Sequence, residues 1–186
     1  MILLVLAIVL LIAIIILAVY VIAVYNGLIV GRNRVKEAFS DVNIQLKRRY
    51  DLIPNLVETV KGYAKHEAET LENIISARNA GSRSSIGEKI EDENQITGVL
   101  RQIFALSESY PELKANTNFQ ELQTQLADVE EDIANSRKYY NAVVKKFNTK
   151  CQTVPSNIIA KIFGFKPLPM FVVDSKEERE NVKVEF

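Results

Sequence analysis

Residues that carry chemistry are scarce in this sequence. There is one cysteine, Cys151, which excludes an intramolecular disulfide and a cysteine-based zinc site. There is one histidine, His66, in the stretch HEAET. A zincin needs HExxH, and position 70 is Thr; a di-iron bundle needs two ExxH pairs, which one histidine cannot supply. No serine has an accompanying His–Asp pattern, and no Gly-rich phosphate loop is present. Tryptophan is absent. Seven Gly and five Pro among 186 residues leave few places for turns, and the abundance of Ala, Leu, Glu, Lys and Gln after residue 30 favours helix. The 23 basic and 23 acidic residues balance, so whole-chain charge selects no partner. These absences leave no catalytic constellation and no cofactor or metal site to expect.

Charge is also missing from a whole segment. Residues 1–30 carry no charged side chain, and apolar residues run almost unbroken from Ile2 to Val24. About 20 apolar residues at roughly 1.5 Å each cross a hydrocarbon core of about 30 Å. Residues 1–24 therefore read as a transmembrane anchor. A cleaved signal peptide fits poorly, because the run is too long and has neither a basic leading region nor a small-x-small cleavage site. After the run come Arg32, Arg34 and Lys36, then Lys47, Arg48 and Arg49, against Glu37 and Asp41. Cations flanking a span favour the cytoplasmic side. The expected topology is single-pass in the cell membrane, with the N-terminus outside and the rest cytoplasmic.

Four stripes of apolar residues at helical spacing follow. They are Val35 to Tyr50, Ile53 to Ile75, Ile96 to Leu106, and Phe119 through Val143, Phe147 and Cys151 to Val154. The stretch LKRRYDLIPNLV, residues 46–57, separates the first two. Pro54 lacks an amide hydrogen and its ring opposes a continuous helix. Asp51 suits an N-cap, and Lys47, Arg48 and Arg49 suit the last turn before it. Asp51 and Pro54 are thus the expected hinge, where the chain reverses; a proline-kinked continuous helix is the competing reading. AGSRSSIGEK, residues 80–89, reads as a loop, Tyr110-Pro111 as the end of the third helix, and Asn118 or Thr117 as the cap of the fourth. The expectation is an all-α fold, an N-terminal transmembrane helix continuing into an elongated antiparallel up-down four-helix bundle over residues 25–155. Residues 156–171 read as a short apolar membrane-proximal segment and residues 172–186 as a charged flexible tail.

These residues resemble the LemA family of bacterial membrane proteins from Tyr25 to about Phe171. The most specific part is RRYDLIPNLVETVKGYAKHE, supported in order by YNGLIVGRNRVKEAFSDV, YPELKAN, RKYYNAVVKKFN and PSNIIAKIFGF. Phe39 stands where such sequences often carry Trp. The resemblance implies a single-pass anchor and an extended helical bundle, and no accepted enzymatic activity.

Other candidate sites have bland readings. His66 falls off the helical stripe and suits a solvated surface, Cys151 suits a buried thiol, and Tyr140 suits the core with Tyr139 beside it. The cations of the last helix lack a groove-reading motif, so no nucleic acid is expected. In an up-down bundle, Lys145, Lys146 and Lys150 come to the same end as Arg32, Arg34 and Lys36, and Ile158, Ile162, Phe163 and Phe165 follow there. These ten residues are the candidate membrane-surface contacts; for residues 156–171 the competing reading is a plug in the open end of the bundle. The expected function is that of a non-enzymatic, membrane-anchored scaffold or interaction protein. Its partners would be the lipid bilayer and an unidentified membrane or cytoplasmic protein, and self-association is compatible with it. The rival reading is an accessory or regulatory subunit of a membrane protease or envelope-stress system.

Overall fold

A computed structural model describes the backbone of residues 1–64, 68–81 and 86–171, and the side chains of these residues except 68, 69, 80, 81 and 86–95. His66, the centre of the 80–89 loop and the tail expected at 172–186 lie outside the described residues. Six helices follow one another: α1 (Ile2–Tyr63), α2 (Ala68–Gly81), α3 (Ile86–Ser107), α4 (Pro111–Lys114), α5 (Thr117–Gln152) and α6 (Ser156–Ile162). The chain is all-α, with no strand among the described residues. It divides into two compact units, one of residues 1–42 with 136–170, the other of residues 43–135 with Phe171.

The first unit contains the apolar segment. Every large apolar side chain from Ile2 to Ile22 is exposed, apart from half-buried Val21. That length is about 30 Å at roughly 1.5 Å per residue, a match to the hydrocarbon core. Among the described residues, one helix, α1, is long and apolar enough to cross a membrane. Burial begins at Val24 and Leu28 without any break in the helix, and continues through Val35, Ala38 and Val42. Tyr140, Val144, Phe147 and Cys151 of α5 are buried in the same unit, and three contacts fix the pairing of the two helices as antiparallel. Lys150 lies over Gly27, Phe147 against Gly31, and the Phe39 and Tyr140 rings are 5.8 Å apart. The two glycines, four residues apart on one helix face, let α5 approach. A Cβ at Gly31 would stand 3.1 Å from Phe147 Cδ2. Gly31→Leu is therefore expected to cost about 1–2 kcal/mol by overpacking. Gly62→Leu, where a Cβ meets nothing within 4 Å, is the control; equal melting temperatures for the two variants would contradict the close approach.

The second unit is a bundle of four helices. The end of α1, α2, α3 and the start of α5 bury Ile53, Leu56, Val60, Ile74, Ile96, Ile103, Phe119 and Leu126 in one core. Asn116 Nδ2 donates to the Tyr63 hydroxyl at 2.9 Å, and Arg49 Nη1 donates to Glu130 Oε1 at 2.6 Å, so α1 and α5 run antiparallel. Asn116 also caps α5, its Oδ1 accepting from the Phe119 amide at 2.9 Å. The cap is thus one or two residues earlier than Thr117 or Asn118.

The expected hinge is absent. α1 passes through Asp51 and Pro54 and runs on to Tyr63. Asp51 caps nothing there; its carboxylate accepts from Lys47 Nζ at 2.8 Å, one turn back on the same helix. The carbonyl that Pro54 deprives of a donor is that of Tyr50. Arg78 of α2 supplies the replacement, its Nε donating to Tyr50 O at 3.0 Å. A side chain from the neighbouring helix thus satisfies the carbonyl and removes much of the reason for the helix to end. Arg49, expected at a helix end, is instead fully buried in mid-helix.

Candidate functional site

The end of the first unit next to the apolar segment gathers most of the residues singled out in the sequence. α5 ends at Gln152, and α6 follows from Ser156. Ser156 anchors the corner, its hydroxyl donating to Lys150 O at 2.7 Å. α6 has an inner and an outer side. Ile159 and Ala160 are buried, whereas Ile158, Ile162 and Phe163 are 57, 72 and 50 % exposed. One side of α6 therefore packs against the unit and the other is uncovered. Val154, expected in the core stripe, is 78 % exposed on the approach to α6. Further up α5, Val144 rather than Val143 is the fully buried residue.

Gly164 stops α6. Its φ of 73° lies in the left-handed region, and the Phe165 amide donates to Ala160 O at 2.8 Å while the Gly164 amide donates to Lys161 O at 3.3 Å. This is a Schellman cap, the termination expected of Gly after a helix. It turns the chain so that Phe165 points inward, half-buried, with its ring 5.9 Å from Tyr25 and 6.5 Å from Phe147. Phe165 thus departs from its expected place among the surface contacts, because the cap directs it onto α1 and α5. Phe163 stays outside, its ring 4.8 Å from that of Tyr25.

Residues 165–170 then run as a strap along α5. Asn148 holds it at both polar atoms of one peptide position: Nδ2 donates to Leu168 O and Oδ1 accepts from the Leu168 amide, each at 2.8 Å. The Tyr140 hydroxyl donates to Pro169 O at 3.0 Å. A cleft of about 180 Å³ opens beside the strap, lined by Arg32, Phe147, Gly164, Phe165, Lys166 and Leu168. Arg34, Lys36, Lys145 and Lys146 are exposed, and Lys150 is half-buried over Gly27. The α1–α5 pairing of Gly31 with Phe147 brings Arg32 level with Lys145 and Lys146, so the two cationic segments share one end of the unit.

Burial raises the Tyr140 phenol above its ordinary value, and the Cys151 thiol likewise. A raised phenol is held neutral in the folded chain. Its contribution to stability is complete below the unfolded value near 10 and declines as pH rises above that. Tyr140→Phe is expected to flatten the loss of stability above about pH 10, measured by urea unfolding; an unchanged slope would contradict the buried phenol.

The second unit has a polar centre that sequence reasoning missed. Arg49 Nη1, besides its bond to Glu130, donates to Thr97 Oγ1 at 3.1 Å, and Arg48 reaches Asp132 at 3.0 Å. The signal was its spacing: Arg49 stands three residues after Leu46 and four before Ile53, inside the apolar register. Among the described residues, no group of three or more His, Cys, Asp or Glu side chains is placed to hold a metal ion.

A family model described as LemA family matches residues 38–186. "Protein LemA" of Metamycoplasma hominis is 28 % identical over 159 residues, covering 84 % of this chain and 72 % of that protein. "Magnetosome protein MamQ" of Magnetospirillum gryphiswaldense is 24 % identical over 174 residues, covering 79 % of this chain, which spans only 64 % of that relative's length. The same figures hold for "Magnetosome protein MamQ 2" of Paramagnetospirillum magneticum. None of these names carries an enzymatic activity.

Proposed function

The chain belongs to the LemA family, and from that premise we propose that it is a membrane-anchored helical scaffold that holds partner proteins at the bilayer, without catalysis of its own. It is a membrane-associated protein. The observation that carries the proposal is the continuity of α1. One helix leads from side chains exposed between Ile2 and Ile22, Val21 excepted, into the buried seam of Val24, Leu28, Val35 and Ala38, with no linker between them. An anchor joined flexibly would only tether; a helix shared by span and core fixes the orientation of the unit at the membrane. Exposed Arg32, Arg34 and Lys36 directly after the span support a single pass with the N-terminus outside and the following chain cytoplasmic. A cysteine-reactive, membrane-impermeant reagent applied to intact cells should then miss Arg34→Cys; labelling from outside would reverse the topology.

The scaffold reading is tested by cross-linking in intact membranes, purification of the full chain and mass spectrometry. A reproducible set of protein partners is expected. Recovery of lipid without any specific protein would contradict the scaffold. Recovery dominated by an integral protease would replace it with a regulatory subunit.

A further inference from the structure

We infer that the outer side of α6, with Val154, forms a wedge that seats in the membrane leaflet beside the span. The inference rests on the reading of α1 as a membrane span and adds a second, separate contact with lipid. Val154, Ile158 and Ile162 follow at four-residue intervals, and Phe163 adjoins them; all four are at least half exposed. They are not spare core residues, because the same short helix already buries Ile159 and Ala160. Four large apolar side chains left uncovered together need a cover.

The position of the patch identifies the cover. Phe163 packs on Tyr25, three residues beyond Ile22, where the run of exposed large apolar residues from Ile2 ends. Three residues are about 4.5 Å of helix. Phe163 therefore lies at the level where the exposed apolar surface of α1 ends. Lys161 and Lys166 flank Phe163 and Phe165 and are exposed. Lysines beside an apolar helix at this level suit the headgroup layer of an anionic leaflet. The Gly164 cap and the Asn148 clip on Leu168 hold the wedge in place from the other side.

The wedge is tested in the full chain, reconstituted in vesicles of phosphatidylcholine and phosphatidylglycerol. Cys151→Ala removes the native thiol, and an environment-sensitive fluorophore is attached in turn to Ile162→Cys, Leu10→Cys and Tyr139→Cys. Lipids brominated near the headgroup end or near the tail end of the acyl chain serve as quenchers. The expected result is that the Ile162 probe loses most of its emission to shallow bromines, the Leu10 probe loses most to deep ones, and the Tyr139 probe is unaffected. An Ile162 probe that is unquenched while the Leu10 probe is quenched overturns the wedge and leaves the span intact. An Ile162 probe shielded from water yet unquenched by lipid, more so at high protein density, overturns it in favour of a second copy. Loss of quenching at both positions overturns the wedge together with the span. Phe163→Ser, outside the buried side of α6, should reduce shallow quenching at Ile162 without altering quenching at Leu10.

Discussion

Arg49→Ala is expected to destabilise the unit of residues 43–135 by about 3 kcal/mol, roughly a 12–20 °C fall in its melting temperature. The Arg49 side chain has no exposure, while that of its partner Glu130 keeps a third of its own. Truncation leaves a cavity within the helical core and takes from Glu130 and Thr97 the guanidinium that donates to both. The exposed third of Glu130 lets water relieve part of the loss, which places the estimate at the low end for a broken buried pair. Replacing both partners, Arg49→Met with Glu130→Leu, should restore stability to within about 1 kcal/mol, because burying a matched charge pair gains little over apolar packing. Thermal unfolding followed by circular dichroism measures all three chains. A loss below about 1 kcal/mol for Arg49→Ala would match a cation merely facing a helix C-terminus and would contradict the burial.

A second large effect is expected where α1 passes Pro54. Arg78→Ala removes a charged donor from the Tyr50 carbonyl, a loss of about 1.5–2 kcal/mol. Pro54→Ala restores a backbone amide four residues after Tyr50 and should stabilise the chain by roughly 1 kcal/mol or more, since proline is strongly disfavoured inside a helix. The two sites are coupled: once the amide is back, Arg78→Ala should cost less than half as much. Urea unfolding of the four chains gives the coupling. Strict additivity would mean that Arg78 does not compensate for the proline. If Pro54→Ala were destabilising, Pro54 would sit at a corner after all.

The difference between sequence and structure turns on one phase relation. Val35, Ala38, Val42 and Leu46 continue as Ile53, Leu56, Val60 and Ala64 at unbroken three-four spacing, provided Arg49 takes its turn in the seam. A charged residue in that place made one stripe look like two, and Pro54 gave the apparent gap a cause. The compensating donor, Arg78, lies 24 residues further on and has no local signature. By contrast the apolar segment of α1 and the long α5 were legible, because uninterrupted apolarity and periodicity act locally. In the candidate site, the exposure of Ile158, Ile162 and Phe163 follows from an apolar helix too short to bury all its faces. The inward turn of Phe165 depends on the cap geometry, and the Asn148 clip on Leu168 depends on a strap with no periodic pattern of its own.

The continuity of α1 through Pro54 is most directly tested by a distance along it. Ile44 and Lys61 are both exposed and lie in the same unit. With Cys151→Ala as background, nitroxide labels on Ile44→Cys and Lys61→Cys in the full chain report their separation by pulsed electron spin resonance. An unbroken helix places their backbones about 26 Å apart at roughly 1.5 Å per residue. A chain that reverses at Asp51 to Pro54 would bring the two positions side by side, at about the 8–10 Å spacing of packed helices, and that result would contradict the account.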